Sequence, residues 1–278
     1  MITIYKEDFE RALPVGVSAH DEVFESVMPA IDSTLDRYCS NMLGEAGIKL
    51  VTEADDDSAL KFYFKKLVCI DAFLSVLRQL DLVLTPTGFG IVSNDNVSPA
   101  SKQRVDALEG SLRTALCMAR AVMVDRLRSA EWGTTNEAKV YIRYVYTEHY
   151  FFFSPKASPA RSHTDWQNMQ NPIDYADEQL RLRFGDEQMD DILDALRCND
   201  LHRLIAYAGA MQLMCDFTDR WAIMGAAAKD SPLFRRLERE IEGDAGTFAL
   251  YHGSSAYKAA HVPVFENKKD STAFVFNG

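Results

Sequence analysis

The sequence predicts a mainly α protein: helical bundles with a projecting β-hairpin or extended arm, closed by an extended C-terminal tail or hairpin. Three observations predict it. Apolar residues recur at steps of three and four over most of the 278 residues. Helix start and stop residues punctuate those stripes. Two stretches, about 83–97 and 262–278, carry short β-prone runs around turn residues. The expected organisation is a helical domain over 1–135 bearing the arm, a second helical domain over 136–261 with an aromatic-rich linker, and the tail over 262–278.

The first helix is expected from about Asp21 to Leu43, where Val23, Val27, Ile31, Leu35 and Tyr38 form one stripe and Gly44 supplies the stop. Pro29 marks a kink or the start of a second piece. The second begins at Ser58 behind the acidic Asp55-Asp56-Asp57, which suits a helix N-terminus by capping and dipole. Its stripe of Leu60, Tyr63, Phe64, Leu67, Ile70, Leu74 and Leu77 is widened by Phe62, Val68, Phe73, Val76 and Leu80, so burial on most sides is expected.

Thr85-Pro86-Thr87-Gly88 then reads as a turn between two β-prone runs, the arm. A third helix is expected from Ser98 as N-cap and Pro99 at its first position, continuing through Val105, Leu108, Leu112, Leu116, Ala119 and Val122 to Leu127.

Val140, Ile142, Tyr144 and Tyr146 alternate with Tyr141, Arg143 and Thr147, which favours a strand; an aromatic-rich helix fits the same stretch. Phe151-Phe152-Phe153 leads into Ser154-Pro155-Lys156-Ala157-Ser158-Pro159, the candidate domain boundary. Helices follow at about Ile173–Phe184, Gln188–Arg197, Leu201–Ala227, Pro232–Ile241 and Ala245–Ala260. Val262-Pro263-Val264-Phe265 and Ala273-Phe274-Val275-Phe276 flank a polar turn and read as a terminal hairpin. A weak internal echo links the halves: Ile31-Asp32 and Gly44-Glu45 match Ile173-Asp174 and Gly185-Asp186, and Cys69 with Asp71 matches Cys215 with Asp216.

Composition narrows the function classes. Apolar residues at 47% and charged residues at 26% are globular usage. A net charge of −11 with dispersed acid argues against gripping duplex DNA or an anionic membrane, which requires clustered Lys and Arg. The five cysteines, scattered and never in a CxxC pair, are the pattern of reduced intracellular thiols. No stretch approaches the roughly 18 apolar residues of a membrane span. The N-terminus lacks the charged and apolar regions of a signal peptide, so the expected place is the cytoplasm.

Each candidate for chemistry meets an objection of spacing or context. Gly88-Phe89-Gly90 has Ser93 where a dinucleotide loop needs its third glycine. His252-Gly253-Ser254-Ser255-Ala256 lacks the paired glycines of a nucleophile elbow. Asp194, Cys198 and His202 would share a face of one continuous helix and could hold a divalent ion, but Asn199-Asp200 reads as a stop and a fresh N-cap. Asp55-Asp56-Asp57 lacks the Gly and distal Glu of a calcium loop. Tyr141 to Phe153 holds only Arg143 as a basic residue, with Lys139 just before it, so it reads as core or subunit interface rather than a stacking platform for nucleic acid. The expectation is no catalytic, cofactor or metal residue. Asp186-Glu187 with Asp190, Asp191 and Asp194 forms an acidic helical face, and the alternative reading is a non-catalytic scaffolding or regulatory protein that docks a basic partner there.

The stretch Leu84 to Asn94, followed by Ser98-Pro99-Ala100-Ser101 and Arg104-Val105, resembles a family of uncharacterised proteins of phages and prophages of Bacteroides-type bacteria, as does the ending Phe265 to Phe276. The helical organisation resembles the head–tail connector (adaptor) proteins of tailed phages. The resemblance implies a virion structural subunit of the neck, assembled in the bacterial host cytoplasm. It implies a homo-oligomeric ring joined to portal and tail or neck proteins, with DNA passing a channel without sequence-specific contact. The subunit contacts expected are Thr85, Pro86, Gly88, Phe89, Gly90 and Ile91 of the arm, and Val264, Phe265, Phe274, Val275 and Phe276 of the tail.

Overall fold

A computed structural model of the chain describes residues 2–13, 21–80, 82–85, 88–91 and 101–262. It is mainly helical. Helix α1 (Lys6–Ala12) buries Phe9 and is followed by α2 (Asp21–Tyr38), which accommodates Pro29 without ending. One π-helical stretch, Cys39–Leu43, continues α2. Gly44 then does not stop the chain, as its position suggested, but redirects it. Its φ of +57°, a region costly to other residues, bends the backbone straight into α3 (Gly44–Glu53) with no loop between.

Ser58 caps α4 (Ala59–Val76) by accepting from the Lys61 N–H, and α4 buries Phe64, Leu67, Val68, Cys69, Ile70, Ala72 and Phe73. A 3₁₀ turn, Leu77–Gln79, precedes β1 (Leu82–Thr85) and β2 (Gly88–Ile91). These two pair antiparallel, with Leu82 opposite Ile91 and Thr85 opposite Gly88. Helix α5 (Lys102–Leu127) has Ser101, extended, at its N-cap; the expected start at Ser98-Pro99 lies outside the described residues.

The strand expected over 140–146 is absent from the described residues. Thr135 caps α6 (Asn136–Tyr141), and the Ile142 N–H closes it onto the Ala138 carbonyl at 2.8 Å. The alternation has a different cause. Ile142 is buried in one hydrophobic core, while Val145 and Tyr146 are buried in another, so the segment crosses between the two with its side chains turned to different sides.

Thr147 caps α7 (Glu148–Phe153), whose Phe151 and Phe152 lie in the second core rather than in a linker. Helix α8 (His163–Phe184) starts ten positions before the expected Ile173. Ser162 and Asp165 form a reciprocal capping box, and Pro172 sits inside the helix. Gly185, φ +82°, joins it to α9 (Asp186–Arg197). Asp200 caps α10 (Leu201–Met224), and a 3₁₀ turn, Gly225–Asp230, leads to α11 (Pro232–Glu242) with Pro at the first turn. The single helix expected over Ala245–Ala260 is two, α12 (Ala249–Gly253) and α13 (Ser255–Ala260). The break falls where the Ser254 Oγ accepts the Tyr257 N–H and restarts the helix.

The internal echo belongs to a recurrence of the element order, although Cys69 and Asp71 stand in it opposite Met211 and Leu213 rather than opposite Cys215 and Asp216. α1 to α4 is repeated by α7 to α10 about 142 residues later, and α11 follows α10 as α5 follows α4, at an offset of about 130. Lys6 and Glu148, Asp21 and His163, and Ala59 and Leu201 open corresponding helices, and Gly44 and Gly185 carry positive φ at the same bend. Buried Phe9 and Ile31 correspond to buried Phe151 and Ile173, and Pro29 to Pro172. Packing repeats as well: α2 and α5 lie against α4 as α8 and α11 lie against α10. Helix α5 serves both units, giving Leu112, Ala119, Met123 and Leu127 to the first core and Cys117 and Ala121 to the second.

Candidate functional site

Of the residues expected at subunit contacts, Thr85, Gly88, Phe89, Gly90 and Ile91 lie in the antiparallel pair, and Pro86 lies outside the described residues. Val264, Phe265, Phe274, Val275 and Phe276 also lie outside them. The placement of the pair between helices is informative. In the second unit residues 225–231 suffice to carry the chain from α10 back along α11, whereas the first unit uses 77–101 for the same step. Connections between packed helices run to about 2–8 residues. The β1–β2 segment is therefore longer than joining α4 to α5 demands.

The residues weighed for chemistry have structural partners. Gly88-Phe89-Gly90 is strand. The Ser254 Oγ is a helix cap and donates to the Tyr251 carbonyl at 2.6 Å. Asp56 receives Lys61 at 2.9 Å. Asp194, Cys198 and His202 are not on one continuous helix, because the chain turns at Asn199 (φ +51°) and Asp200 caps the next helix through the N–H groups of His202 and Arg203. Among the described residues no group of three His, Cys, Asp or Glu is placed to hold a metal ion. No helix among them is long and apolar enough to cross a membrane.

The acidic face of α9 is engaged from within the chain. Arg181 reaches Asp186 at 3.2 Å and Asp190 at 2.9 Å, Arg203 reaches Asp191 at 2.9 Å, and Arg197 reaches Asp194 at 3.0 Å. Arg181 also holds Asp177 at 2.8 Å, whose carboxyl is raised above the usual range by burial. A basic partner would have to displace these arginines. A cleft of about 670 Å³ lies beside the same groups. It is lined by Lys139, Arg143, Tyr144, Asp174, Asp177 and Arg181, with the Tyr144 hydroxyl bonded to Asp174.

A second groove, about 520 Å³, runs between α7 and α10 and is mainly apolar at Phe153, Leu204, Ala208 and Met211. The Ser154 Oγ at its edge is buried without a hydrogen-bond partner.

What the sequence did not disclose is the junction of the two units. Arg120 of α5 grips Glu148 of α7 at 2.6 and 2.8 Å, with both side chains largely buried. Beside it, Tyr38 and Arg37 both donate to Asp71 at 2.6 Å. The signal present was a lone arginine between Ala119 and Ala121, in a stretch otherwise reading as core. Burial drives the nearby Cys117 thiol up to about 11, which makes it a packing residue rather than a nucleophile.

This arrangement has the character of a two-unit helical scaffold with an inserted strand pair. No curated protein and no solved structure matches the chain. Residues 26–141 match a family of unknown function, DUF6712, a span that runs from α2 through α6 and includes the strand pair.

Proposed function

We propose that the chain is a virion structural protein, a head–tail connector (adaptor) subunit that forms a ring in the neck and joins portal to tail. The observation that carries this reading is the insertion between α4 and α5. The second unit makes the corresponding connection with a short turn, so the β1–β2 segment serves something other than chain connection. An antiparallel pair that extends from a helical body presents backbone donors and acceptors at its edges, which a neighbouring chain can complete by strand addition. The sequence over 262–278, with Val264, Phe265, Phe274, Val275 and Phe276, adds a second apolar stretch that fits a subunit contact. The negative net charge suits a ring through which DNA passes without adhering.

The test is the assembly state of the purified full chain by native mass spectrometry and electron microscopy, with and without portal complexes. A closed ring that binds portal is the expected result. A monodisperse monomer that fails to join portal sinks the proposal.

A further inference from the structure

The strand pair has one apolar face. With Leu82 opposite Ile91 and Leu84 opposite Phe89, the register sets these four residues on the same side, and the other side carries Gly88 and Gly90. A two-stranded pair is marginal in water by itself and needs its apolar face covered.

The groove between α7 and α10 is a surface of matching kind. Leu204, Ala208 and Met211 of α10 and Phe153 of α7 line it, and its volume of about 520 Å³ admits several large side chains. Phe153 is 41% exposed, and Leu201 and Ile205, one turn before Leu204 and Ala208 on α10, are 67% and 78% exposed. The repeat shows what such a face takes. Leu204, Met211 and Cys215 correspond to Phe62, Cys69 and Phe73 of α4, where α1 lies on the helix with Phe9 against Phe73 and Arg11 over the Phe62 ring. In the second unit α7, the counterpart of α1, packs on α5 instead. It reaches α10 through the Tyr150 hydroxyl, which is bonded to Gln212 at 3.0 Å and to Asp216 at 3.3 Å. The first core covers Leu204 and Met211 from one side, and the groove is what remains open.

The strand pair does not reach the groove of its own chain. It springs from the amino-terminal part of α5, where Arg78 at its base bonds to Asp106 at 2.7 Å. The groove adjoins the other end of α5, at Asp125 and Arg128. Asp106 to Asp125 is about 28 Å of helix. The chain from Gln79 to Thr85 spans only about 20 Å when fully extended. A second copy is free of that restriction.

We infer that copies of this chain associate through these two surfaces, the face of the strand pair bearing Leu82, Leu84, Phe89 and Ile91 seating in the groove between α7 and α10 of the next copy. The contact joins unlike surfaces of identical chains, so it closes into a ring when its rotation closes. The edges of the pair stay free for strand addition. The inference rests on the ring-forming reading above and names the surface that receives the arm.

The experiment uses two full-length variants. Ile205→Glu/Ala208→Glu puts charge in and beside the groove, at exposed positions of α10. Leu84→Thr/Phe89→Thr strips the apolar face at one facing pair and keeps strand-forming residues there. Melting temperatures should match that of the unaltered protein; Ala208→Gln and Phe89→Ala serve where a double change does not fold. Light scattering and native mass spectrometry follow association over a concentration series. Each variant alone should associate about 100-fold more weakly than the unaltered protein, through lost apolar burial in one and a charge set against apolar groups in the other. An equimolar mixture should stop at a one-to-one pair, since the intact arm of the groove variant fits the intact groove of the arm variant and nothing further can add. Variants that assemble as the unaltered protein does overturn this contact while leaving the ring reading standing. Variants that dissociate but form no pair on mixing overturn the match of these two surfaces. An unaltered protein that stays monomeric at every concentration overturns both.

Discussion

Arg120 and Glu148 form a two-point ion pair that ties α5 of the first unit to α7 of the second. The side chains are 29% and 13% exposed, so solvent screens the pair little. Arg120→Ala or Glu148→Ala leaves the other charge half-buried without a partner and should cost about 2–3 kcal/mol. The double change to Met and Leu should cost less than either. Urea denaturation of the three variants checks both statements, and a double change that costs the sum of the two single ones would contradict the pairing.

Two glycines separate backbone crowding from side-chain crowding. A Cβ on Gly133 would lie 2.5 Å from the Arg197 carbonyl carbon and oxygen, where α9 ends, and neither can swing aside. Gly133→Ala should therefore destabilise by about 2–3 kcal/mol. A Cβ on Gly209 also meets an atom at 2.5 Å, but that atom is the terminal Oε1 of Glu240, which rotates away. Gly209→Ala, inside α10, should be neutral or stabilising by up to about 1 kcal/mol. Thermal melts of the pair decide it.

Thiol reactivity should sort the cysteines. Cys69, Cys117 and Cys215 are buried, and burial raises each thiol, that of Cys69 to about 12. Cys39 and Cys198 are half-buried. At pH 8 an aromatic disulfide reagent should modify Cys39 and Cys198 first, and the other three only on unfolding. Peptide mapping of partly labelled protein reads the order.

His149 links stability to pH. Burial lowers its pKa below the ordinary 6.5, so the folded state takes up a proton less readily than the unfolded chain. Stability contributed by the neutral ring is present above pH 6.5 and is lost as pH falls from there toward the folded value. His149→Gln should flatten the stability curve over that window, measured by denaturant titration between pH 7.5 and 5. An unchanged slope would assign the dependence to other groups.

Replacing residues 81–100 by a short Gly/Ser linker should leave the α4–α5 packing intact. Shortening the loop alters its closure cost by only about 1 kcal/mol or less. The proposed function expects the same protein to lose assembly. A folded variant that still forms rings would remove the arm from the interface.

Legibility in the sequence followed the range of the forces involved. Local signals were readable: Ser58 capping α4, the wide apolar stripe behind it, and the Asn199-Asp200 break that separates Cys198 from His202. Signals whose meaning depends on context were misread. Gly44 stops a helix in most settings, yet here the next helix begins on it. Pro172 hid the first half of α8, although Ser162 and Asp165 announced the true start. The alternation at 140–146 records two different cores, which no local pattern can distinguish from the two faces of a sheet. The Arg120–Glu148 junction joins residues of different units and had no local trace beyond one arginine in an apolar stretch.

Helix α5 lies in both hydrophobic cores, and this bears on how the molecule responds to cutting. The exposed turn at Ser154–Pro159 is the natural place for a protease to nick the described chain, inside the second unit between α7 and α8. Cleavage there leaves α5, α6 and α7 on the amino-terminal fragment, with Phe151 and Phe152 still embedded among residues of the carboxy-terminal one. The fragments should stay together as a complex until denatured and unfold in a single transition. Neither alone would be a complete body, since each would expose the apolar surface the other covers.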